Sequence, residues 1–299
     1  MPEVSVIIPF YQKHATLRRC LDSIRFRHME AEILVVDDGS NPPLLKEDFG
    51  ESDFRLIRQE NAGPGSARNH GAAEANGRYL LFLDADDFLD PDFETHMLAG
   101  IRAESEVIVG GFRYLKKGED HFPFFQDEQN QRPALLPESL DYRHFRMACD
   151  FFAAGTCLIR RDVFFRTKGF YDRDKAVFGE DIYLWFQVLL LCQTIQRIPK
   201  VVVMVDDAHS QLGISRKKGR PVSVLARCPA GDFMAGCKTK SPIFVRTFLF
   251  EYRKEAALSL IHEGRYREFF GLALDFPRLL SSYSVCSYLI KRFLVNGAR

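Results

Sequence analysis

The stretch Arg78-Tyr-Leu-Leu-Phe-Leu-Asp-Ala-Asp-Asp-Phe-Leu-Asp90 joins a run of apolar side chains directly to a cluster of acids. Residues 79–83 are all apolar or aromatic, which predicts a strand buried on both faces. Asp84, Asp86 and Asp87 follow at its carboxyl end, where open α/β sheets bind ligands. Because clustered carboxylates repel one another, they must be exposed or must surround a cation. If strand geometry continued, Asp84 and Asp86 would point to one side. Taken alone, the pattern is equally compatible with a solvated acidic turn that caps the next helix.

Two further buried strands upstream also end in polar loops. Residues 4–8 and 31–36 read as strands, and they lead into Pro9-Phe-Tyr-Gln-Lys13 and Asp37-Asp-Gly-Ser40. A helix is predicted at residues 15–27. This spacing of strands and helices predicts a parallel α/β sheet with right-handed crossovers. Parallel strands bring their end loops to one edge of the sheet, so we expect both acidic clusters to meet there.

The remaining chain is predicted to continue this sheet and then to become helical. Further predicted elements are a strand at 54–58, a helix ending at 74, a helix at 92–103, a strand at 106–112, a strand ending at 159, a helix at 179–191 and a strand at 201–205. Residues 116–137 read as an irregular insertion. From Ser241 onward the pattern is helical. The predicted organisation is an α/β unit at 1–220 and a mainly helical region at 221–299.

Composition excludes several classes of protein. The chain has 299 residues, 46% of them hydrophobic, and a formal net charge of +1, which does not suit a nucleic-acid binder. Its seven cysteines show no C-x-x-C spacing, which favours a reducing compartment over disulfides or a zinc site. Neither a signal peptide nor a run of about 18 apolar residues is present. We therefore expect a cytoplasmic protein, or one peripheral to the inner face of the membrane.

Several residues at the predicted strand ends have side chains suited to binding, and each also has a structural interpretation. Tyr11 suits stacking on a flat ring, or packing within its own loop. Asp38 suits accepting hydrogen bonds from a base or ribose, whereas the adjacent glycine and serine favour an Asx turn. Arg68 lies in Asn61-Ala-Gly-Pro-Gly-Ser-Ala-Arg-Asn-His-Gly71, which is not a P-loop but can approach a phosphate or simply begin a helix.

The later part of the chain adds four candidates. Glu180 and Asp181 open a helix, where acids stabilise the helix dipole, and one of them could act as a general base. Trp185, the only tryptophan, suits the wall of an acceptor pocket, although core packing is the safer interpretation. His209 has the chemistry of a third metal ligand, but a lone histidine is more often an ordinary surface residue.

Five motifs in order give the chain a specific resemblance. They are Val-Ile-Ile-Pro-Phe-Tyr, Val-Val-Asp-Asp-Gly-Ser, Asn-Ala-Gly-Pro-Gly-Ser-Ala-Arg-Asn, Leu-Asp-Ala-Asp-Asp and Gly-Glu-Asp-x-x-Leu-Trp. The set resembles the inverting family-two glycosyltransferases, and it covers residues 4–215. The resemblance implies a GT-A fold, a Rossmann-like, mostly parallel sheet flanked by helices, here with a C-terminal helical extension. It also implies transfer of a sugar from a nucleoside-diphosphate donor, weakly favouring uridine, to an acceptor hydroxyl.

The same resemblance implies roles for individual residues. For the donor nucleotide it implies contacts from Pro9, Tyr11, Asp38, Arg68, Asp84 and Asp86. It implies Mn²⁺ or Mg²⁺ as cofactor, with Asp86 the direct ligand and His209 able to reach the metal or the diphosphate. Asp181 matches the catalytic base, with Glu180 beside it.

The sequence assigns neither a role to the C-terminal region nor an identity to the acceptor. Lys168-Gly-Phe-Tyr-Asp172 stands where Gly-Gly-Phe-Asp is common in the family, and nothing after residue 241 matches a motif. This region could hold a saccharide or lipid-linked acceptor, a membrane surface or a second subunit, or pack on the catalytic unit. Cell-surface polysaccharide or lipopolysaccharide assembly is the expected setting. The rival interpretations are a phospho-receiver module and a non-catalytic sugar-nucleotide-binding scaffold.

Overall fold

The structure is a computed structural model that describes residues 1–50, 52–121, 134–135, 142–176, 178–206, 221–234 and 241–296. The strands are β1 Val4–Phe10, β2 Ala31–Asp38, β3 Arg55–Gln59, β4 Tyr79–Phe82, β5 Phe88–Leu89, β6 Val107–Tyr114, β7 Asp120–His121, β8 Ala134–Leu135, β9 Cys157–Arg160 and β10 Thr194–Val205. The α-helices are α1 His14–Ser23, α2 Pro64–Glu74, α3 Phe93–Arg102, α4 Tyr142–Phe151, α5 Arg161–Phe164, α6 Glu180–Leu191, α7 Val224–Arg227, α8 Gly231–Met234, α9 Pro242–His262, α10 Tyr266–Asp275 and α11 Tyr283–Asn296.

The described strands form one mixed sheet in the order β3-β2-β1-β4-β9-β6-β10-β5, with β7 paired to β6 and β8 to β10. The first four strands of this order are parallel, as the spacing of strands and helices predicts. The strand β9 runs antiparallel between β4 and β6, and β10 is again parallel to β6. The parallel half brings the carboxyl ends of β1, β2 and β4 to one edge of the sheet.

Alternate side chains of the strands feed two apolar layers. Val6 and Ile8 of β1 pack with α1 and α3 on one face, while Ile7 faces the opposite layer. That second layer contains α2, α4, α5 and α6. On α2, Gly71 permits close packing, since an added Cβ would lie 2.5 Å from the Ile7 side chain. Covered faces on both sides explain why the strands read as continuous apolar runs rather than alternating ones.

The C-terminal helices belong to the second layer. The long helix α9 buries Val245, Phe248, Leu249 and Tyr252, and these side chains pack in the same core as α4 and α6. Phe248 stacks on Phe186 of α6, with ring centroids 4.9 Å apart. The helical region beyond residue 220 therefore shares an apolar core with the α/β part of the chain.

Three local features differ from the sequence expectations. The antiparallel β9 was not expected, and α4 lies where no element was assigned, although its buried Phe145, Ala148 and Cys149 have helical spacing. Helix α1 ends at Ser23 rather than at residue 27. Beyond this end, the backbone N–H groups of residues 27–29 donate to the Glu94 carboxylate at 2.5–2.9 Å rather than to helix carbonyls.

Most of residues 116–137, expected to be irregular, lie outside the described residues, as does the loop after β10. Within the described part of the chain, none of the helices combines the length and the apolar composition that a membrane crossing requires.

Candidate active site

A cleft of about 730 Å³ opens at the carboxyl edge of the parallel strands. Its walls come from the loop after β1, the end of β2, the start of α2, the acidic turn after β4, the start of α6 and one side of α9. Eight of the ten residues predicted for the site line it: Pro9, Tyr11, Asp38, Arg68, Asp84, Asp86, Glu180 and Asp181. Segments far apart in the chain thus converge on one cleft, and the loops after β1, β2 and β4 do so because these strands are parallel.

The acidic residues after β4 form a turn rather than a continuation of the strand. The strand ends at Phe82, and the Asp87 backbone N–H donates to the Asp84 carbonyl at 3.0 Å. The alternation that was expected to aim Asp84 and Asp86 to one side therefore does not hold. Both residues nevertheless reach the cleft, because the turn lies at its floor.

Each of the three carboxylates of this turn has a different partner. Asp84 pairs with Arg68 at 2.7 Å, Asp86 pairs with Lys13 at 2.7 Å, and the Asp87 carboxylate accepts the Asp206 backbone N–H at 3.0 Å. Burial, and next the Asp84 charge, raise the pKa of Asp86, while Lys13 opposes this effect. Burial raises the pKa of Asp84 too, but Arg68 and Lys13 outweigh it, so that its pKa lies below the usual value.

Arg68 joins the acidic turn to helix α6. Its guanidinium is buried and lies 2.7 Å from Asp84 and 3.1 Å from Glu180, 112 residues further along the chain. Burial alone would lower the pKa of Arg68, but Asp84 and Glu180 together raise it above its usual value. Arg68 lines the cleft, as expected for a donor contact, yet two carboxylates already engage it. Its evident structural effect is to hold the turn and the start of α6 together.

Both acids at the start of α6 line the cleft, and Asp181 is the more exposed residue of the two. Burial, and next the charge of Glu180, raise its pKa to about 7, although Arg68 acts in the opposite direction. The turn before α6 is tight: Gly179 has φ +84°, and an added Cβ would collide with the Ser223 side chain. This glycine allows the helix to begin with both acids at the cleft wall.

The two acids at the end of β2 have separate structural roles. The Asp37 carboxylate accepts N–H groups from Ser40 and Leu44, which closes the turn after the strand. Asp38 accepts the Ala62 and Gly63 N–H groups at 2.8 and 2.9 Å. Asp38 thereby fixes the loop before α2 against the cleft, and its predicted contact with a nucleobase stays a prediction.

The wall opposite the acidic turn is formed by aromatic and charged residues that the sequence analysis did not identify. Tyr252, Glu255 and Arg146 line the cleft from α9 and α4, together with Phe112, Tyr114 and Phe152. The Arg146 guanidinium lies 4.4 Å from the centre of the Tyr252 ring, and Glu255 accepts the Tyr142 hydroxyl at 2.8 Å. Neither helix carries a motif, and only packing brings these side chains to the cleft.

Trp185 does not line the cleft, which corrects the prediction that it forms part of an acceptor pocket. Its side chain is 1% exposed and stacks on Phe152, with ring centroids 5.5 Å apart. It lies on the buried side of α6, one turn beyond Asp181. Phe152, the residue on which Trp185 stacks, lines the cleft instead. The other predicted ligand, His209, lies outside the described residues.

The acidic turn has a donor set that suits Mg²⁺ or Mn²⁺, because hard divalent cations prefer carboxylate oxygens. Asp86 Oδ2 is fully buried and, apart from its ion pair with Lys13, has no hydrogen-bond partner among the described residues. A second set of ligand-type atoms, from Asp90, Asp92 and His96, lies within 4.8 Å at the start of α3. This second set is not part of the cleft, and Asp90 accepts the Asp92 backbone N–H there.

The mixed sheet and the cleft at its carboxyl edge are those of the GT-A fold. The crystal structure of residues 1–349 of S. aureus TarS in complex with UDP matches 97% of this chain and 89% of that chain. The TM-score is 0.61 at 16% sequence identity, so the likeness concerns the fold. The crystal structure of the same TarS residues in complex with UDP-GlcNAc matches 97% of this chain and 79% of that chain, with a TM-score of 0.55 at 16% identity.

Sequence comparison gives the family. Residues 5–166, more than half of the chain, match the model of glycosyl transferase family 2, and the chain belongs to that family. The succinoglycan biosynthesis protein ExoW of Rhizobium meliloti is 40% identical over 152 residues, 46% of this chain and 47% of ExoW. Glycosyltransferase GlyA of Streptococcus pneumoniae is 36% identical over 128 residues, 41% of this chain and 18% of GlyA. Both matches span less than half of the relative's length.

Proposed function

We propose that this protein transfers a sugar from a uridine-diphosphate sugar to a hydroxyl group of a saccharide or lipid-linked acceptor, with inversion at the anomeric carbon. The observation that carries the proposal is the position of Asp181, a half-buried acid near the start of α6 that lines the same cleft as the acidic turn. Burial and the charge of Glu180 raise its pKa to about 7. Family membership and the UDP complexes of TarS support a nucleotide-sugar donor.

The donor is proposed to lie along the sheet edge. Tyr11 is 45% exposed at the cleft and offers a ring on which a nucleobase can stack. Pro9 and Asp38 lie on the same wall. The diphosphate then lies near the acidic turn and Arg68, where backbone of the loop before α2 also approaches. The uridine preference is supported by the UDP and UDP-GlcNAc complexes of TarS alone.

Asp181 is proposed to act as the general base. Its carboxylate takes the proton of the acceptor hydroxyl while that oxygen attacks the anomeric carbon, and the bond to the nucleoside diphosphate breaks. A pKa near the working pH combines a sufficient deprotonated fraction with a useful basicity. Glu180 and Arg68 hold this end of α6 in place, so Asp181 keeps its orientation.

A divalent cation is proposed to be held by Asp86, with His209 as a further ligand and Asp84 nearby. When bound, such a cation would neutralise the charge that develops on the leaving diphosphate. Mn²⁺ and Mg²⁺ both suit carboxylate ligands.

The acceptor is proposed to lie against α9. Tyr252 and Glu255, together with Arg146, give that wall an aromatic face and both signs of charge, which suit the faces and hydroxyl groups of a sugar. The relative ExoW is named for succinoglycan biosynthesis, which supports assembly of a cell-surface polysaccharide as the setting.

Thermal unfolding followed by a transfer assay tests the proposal. Nucleoside-diphosphate sugars are screened, with and without Mn²⁺, for stabilisation of the folded protein, because a ligand raises the unfolding temperature only if it binds the native state. The donor that stabilises most is then assayed for transfer. We expect a UDP-sugar to stabilise the protein in a Mn²⁺-dependent manner.

Two variants separate binding from chemistry. Asp181→Asn should lower transfer by about a hundredfold or more while donor stabilisation persists, since it removes the proton acceptor alone. Asp86→Ala should instead weaken the Mn²⁺-dependent part of donor binding. Asp53→Asn, at a fully exposed acid far from the cleft, serves as the matched control and should keep both properties.

Full activity in Asp181→Asn would contradict the catalytic assignment. Donor binding by the wild-type protein with no transfer to any acceptor and no donor hydrolysis would favour a non-catalytic sugar-nucleotide-binding scaffold.

A further inference from the structure

Lys13 provides an ammonium group at the oxygen proposed to bind the cation. It is the last residue of the loop after β1, and its Nζ lies 2.7 Å from Asp86 Oδ2. Asp86 is buried, with 3% of its side chain exposed, whereas 28% of the Lys13 side chain is exposed. No motif or family position singles out Lys13, and the cation proposal does not include it.

The counter-ions of the acidic turn differ in how easily they can leave. Arg68 is buried and held by Asp84 and Glu180 at once, so its departure would leave the buried Glu180 carboxylate unpaired. Lys13 has one carboxylate partner among the described residues and a flexible four-carbon stem that reaches solvent. Among the described cations that pair with the carboxylates of the turn, Lys13 is therefore the one that can exchange.

The backbone of Lys13 is anchored while its side chain is not. Its carbonyl accepts the N–H groups of Thr16 and Leu17 in the first turn of α1. The preceding residue, Gln12, donates its backbone N–H to Ser40 Oγ at 3.0 Å. A rotation of the lysine side chain alone can therefore move the ammonium group without moving the loop.

A divalent cation and the Lys13 ammonium cannot both use Asp86 Oδ2. Two cations at hydrogen-bond distance from one oxygen would repel each other strongly in a partly buried site. When the ammonium leaves Asp86, it stays on the wall of the cleft where the donor's diphosphate is proposed to lie. A phosphate oxygen there would give it a new anionic partner.

We propose that Lys13 is an exchangeable counter-ion of Asp86, which a divalent cation displaces and which then pairs with the anionic diphosphate of the donor. This inference rests on the proposed function for its donor half. Cation binding and nucleotide binding are then positively coupled through one side chain. Each ligand alone must break the ion pair between Lys13 and Asp86 without replacing both partners, whereas the two ligands together supply a new partner to each residue.

The test measures Mn²⁺ binding directly, by the electron paramagnetic resonance signal of free Mn²⁺, with no sugar transfer involved. Lys13→Met and Lys13→Gln should each bind Mn²⁺ about tenfold more tightly than wild type in the absence of nucleotide, since no ammonium competes. Lys13→Arg, which keeps the charge, should stay within about threefold of wild type. Thermal unfolding checks that each variant is folded.

Lys175→Met is the matched control for loss of one positive charge at the cleft. Lys175 lines the same cleft, and none of the ion pairs among the described residues joins it to Asp86. Its loss should change the Mn²⁺ affinity by less than about twofold, because its effect is only long-range and screened. An increase equal to that of Lys13→Met would assign the effect to general charge and overturn the proposal.

The donor half is tested by repeating the Mn²⁺ titration with saturating UDP. UDP should tighten Mn²⁺ binding in wild type by a factor that is at least about threefold larger than in Lys13→Met. Unchanged or weaker Mn²⁺ binding in both neutral variants overturns the displacement. An unchanged UDP factor overturns the pairing with diphosphate. Failure of UDP to bind at all would count against the proposed function, whereas the titrations with Mn²⁺ alone would still decide the displacement.

Discussion

Asp181, the proposed general base, shows how the surroundings of one side chain set its pKa. It is the second residue of α6, and its neighbour Glu180, which follows a glycine with positive φ, is paired with Arg68. Partial burial and the charge of Glu180 favour the neutral acid, while Arg68 favours the carboxylate. The resulting carboxyl group changes its charge near neutral pH, as the proposed general base requires.

We predict that the pH dependence of transfer follows Asp181. Its pKa is raised to about 7, and a general base acts only in its deprotonated form, so kcat/KM should rise with pH and level off above about pH 7. Below that value the rate should fall about tenfold per pH unit. Initial rates from about pH 5 to about pH 9, at fixed Mn²⁺, give the profile.

The Asp181→Asn variant is the control for this profile. The residual kcat/KM of this variant should not rise with pH toward about pH 7, because the titrating carboxyl group is gone. A wild-type profile that is flat from about pH 5 to about pH 8 would contradict the role of Asp181 as the base.

At the level of elements, the parallel half of the sheet was predictable and the other half was not. The strands β1, β2 and β4 are continuous apolar runs followed by loops with Gly, Pro or Asp, and these local patterns are sufficient to locate them. Whether β9 runs parallel or antiparallel depends on which strands it joins, and no local pattern encodes that choice. The helix α4 did carry a usable signal, its helical spacing of buried residues.

The helix α9 should be the element on which the proposed acceptor wall depends. Phe248 is 1% exposed and packs against Phe145, Phe186 and Tyr142. We expect Phe248→Ala to cost about 3–5 kcal/mol of unfolding free energy, because it removes a large ring from a closed core. Denaturant unfolding measures the change.

Ile243, on the same helix but 75% exposed, gives the matched control for Phe248. Ile243→Ala should change stability by less than about 0.5 kcal/mol, as surface substitutions usually do. Equal losses in the two variants would show that α9 does not pack on the core as described.

For the whole molecule, one apolar core crosses the boundary expected near residue 220. Side chains of α6, α7 and α9 contact one another in this core, and the buried Arg253 guanidinium of α9 donates to the Ala226 carbonyl at 3.0 Å. The expected division into units at 1–220 and 221–299 stays a prediction, as do contacts with a membrane surface or a second copy. Exposed apolar side chains of the C-terminal helices, including Leu274, Tyr283 and Ile290, would lie at such a contact.

We predict that a chain ending at residue 240 does not fold on its own. Removing α9 uncovers Phe145, Phe186 and their neighbours, and a large apolar patch of this kind favours aggregation over a cooperative fold. Solubility and near-ultraviolet circular dichroism of the shortened chain, compared with the full chain, provide the measurement. Cooperative unfolding with a native-like spectrum would instead establish an independent α/β domain.

The sequence by itself determined where the site lies. Parallel strands must deliver their end loops to one edge, so motifs that follow the strands converge whatever the distant packing does. Only the tertiary structure decided how each side chain there is partnered. Arg68 meets Glu180 across 112 residues, Lys13 meets Asp86, and Trp185 faces the core while α9 supplies the opposite wall. Such pairings depend on how whole helices pack, and the packing of distant segments leaves no local signature in a sequence.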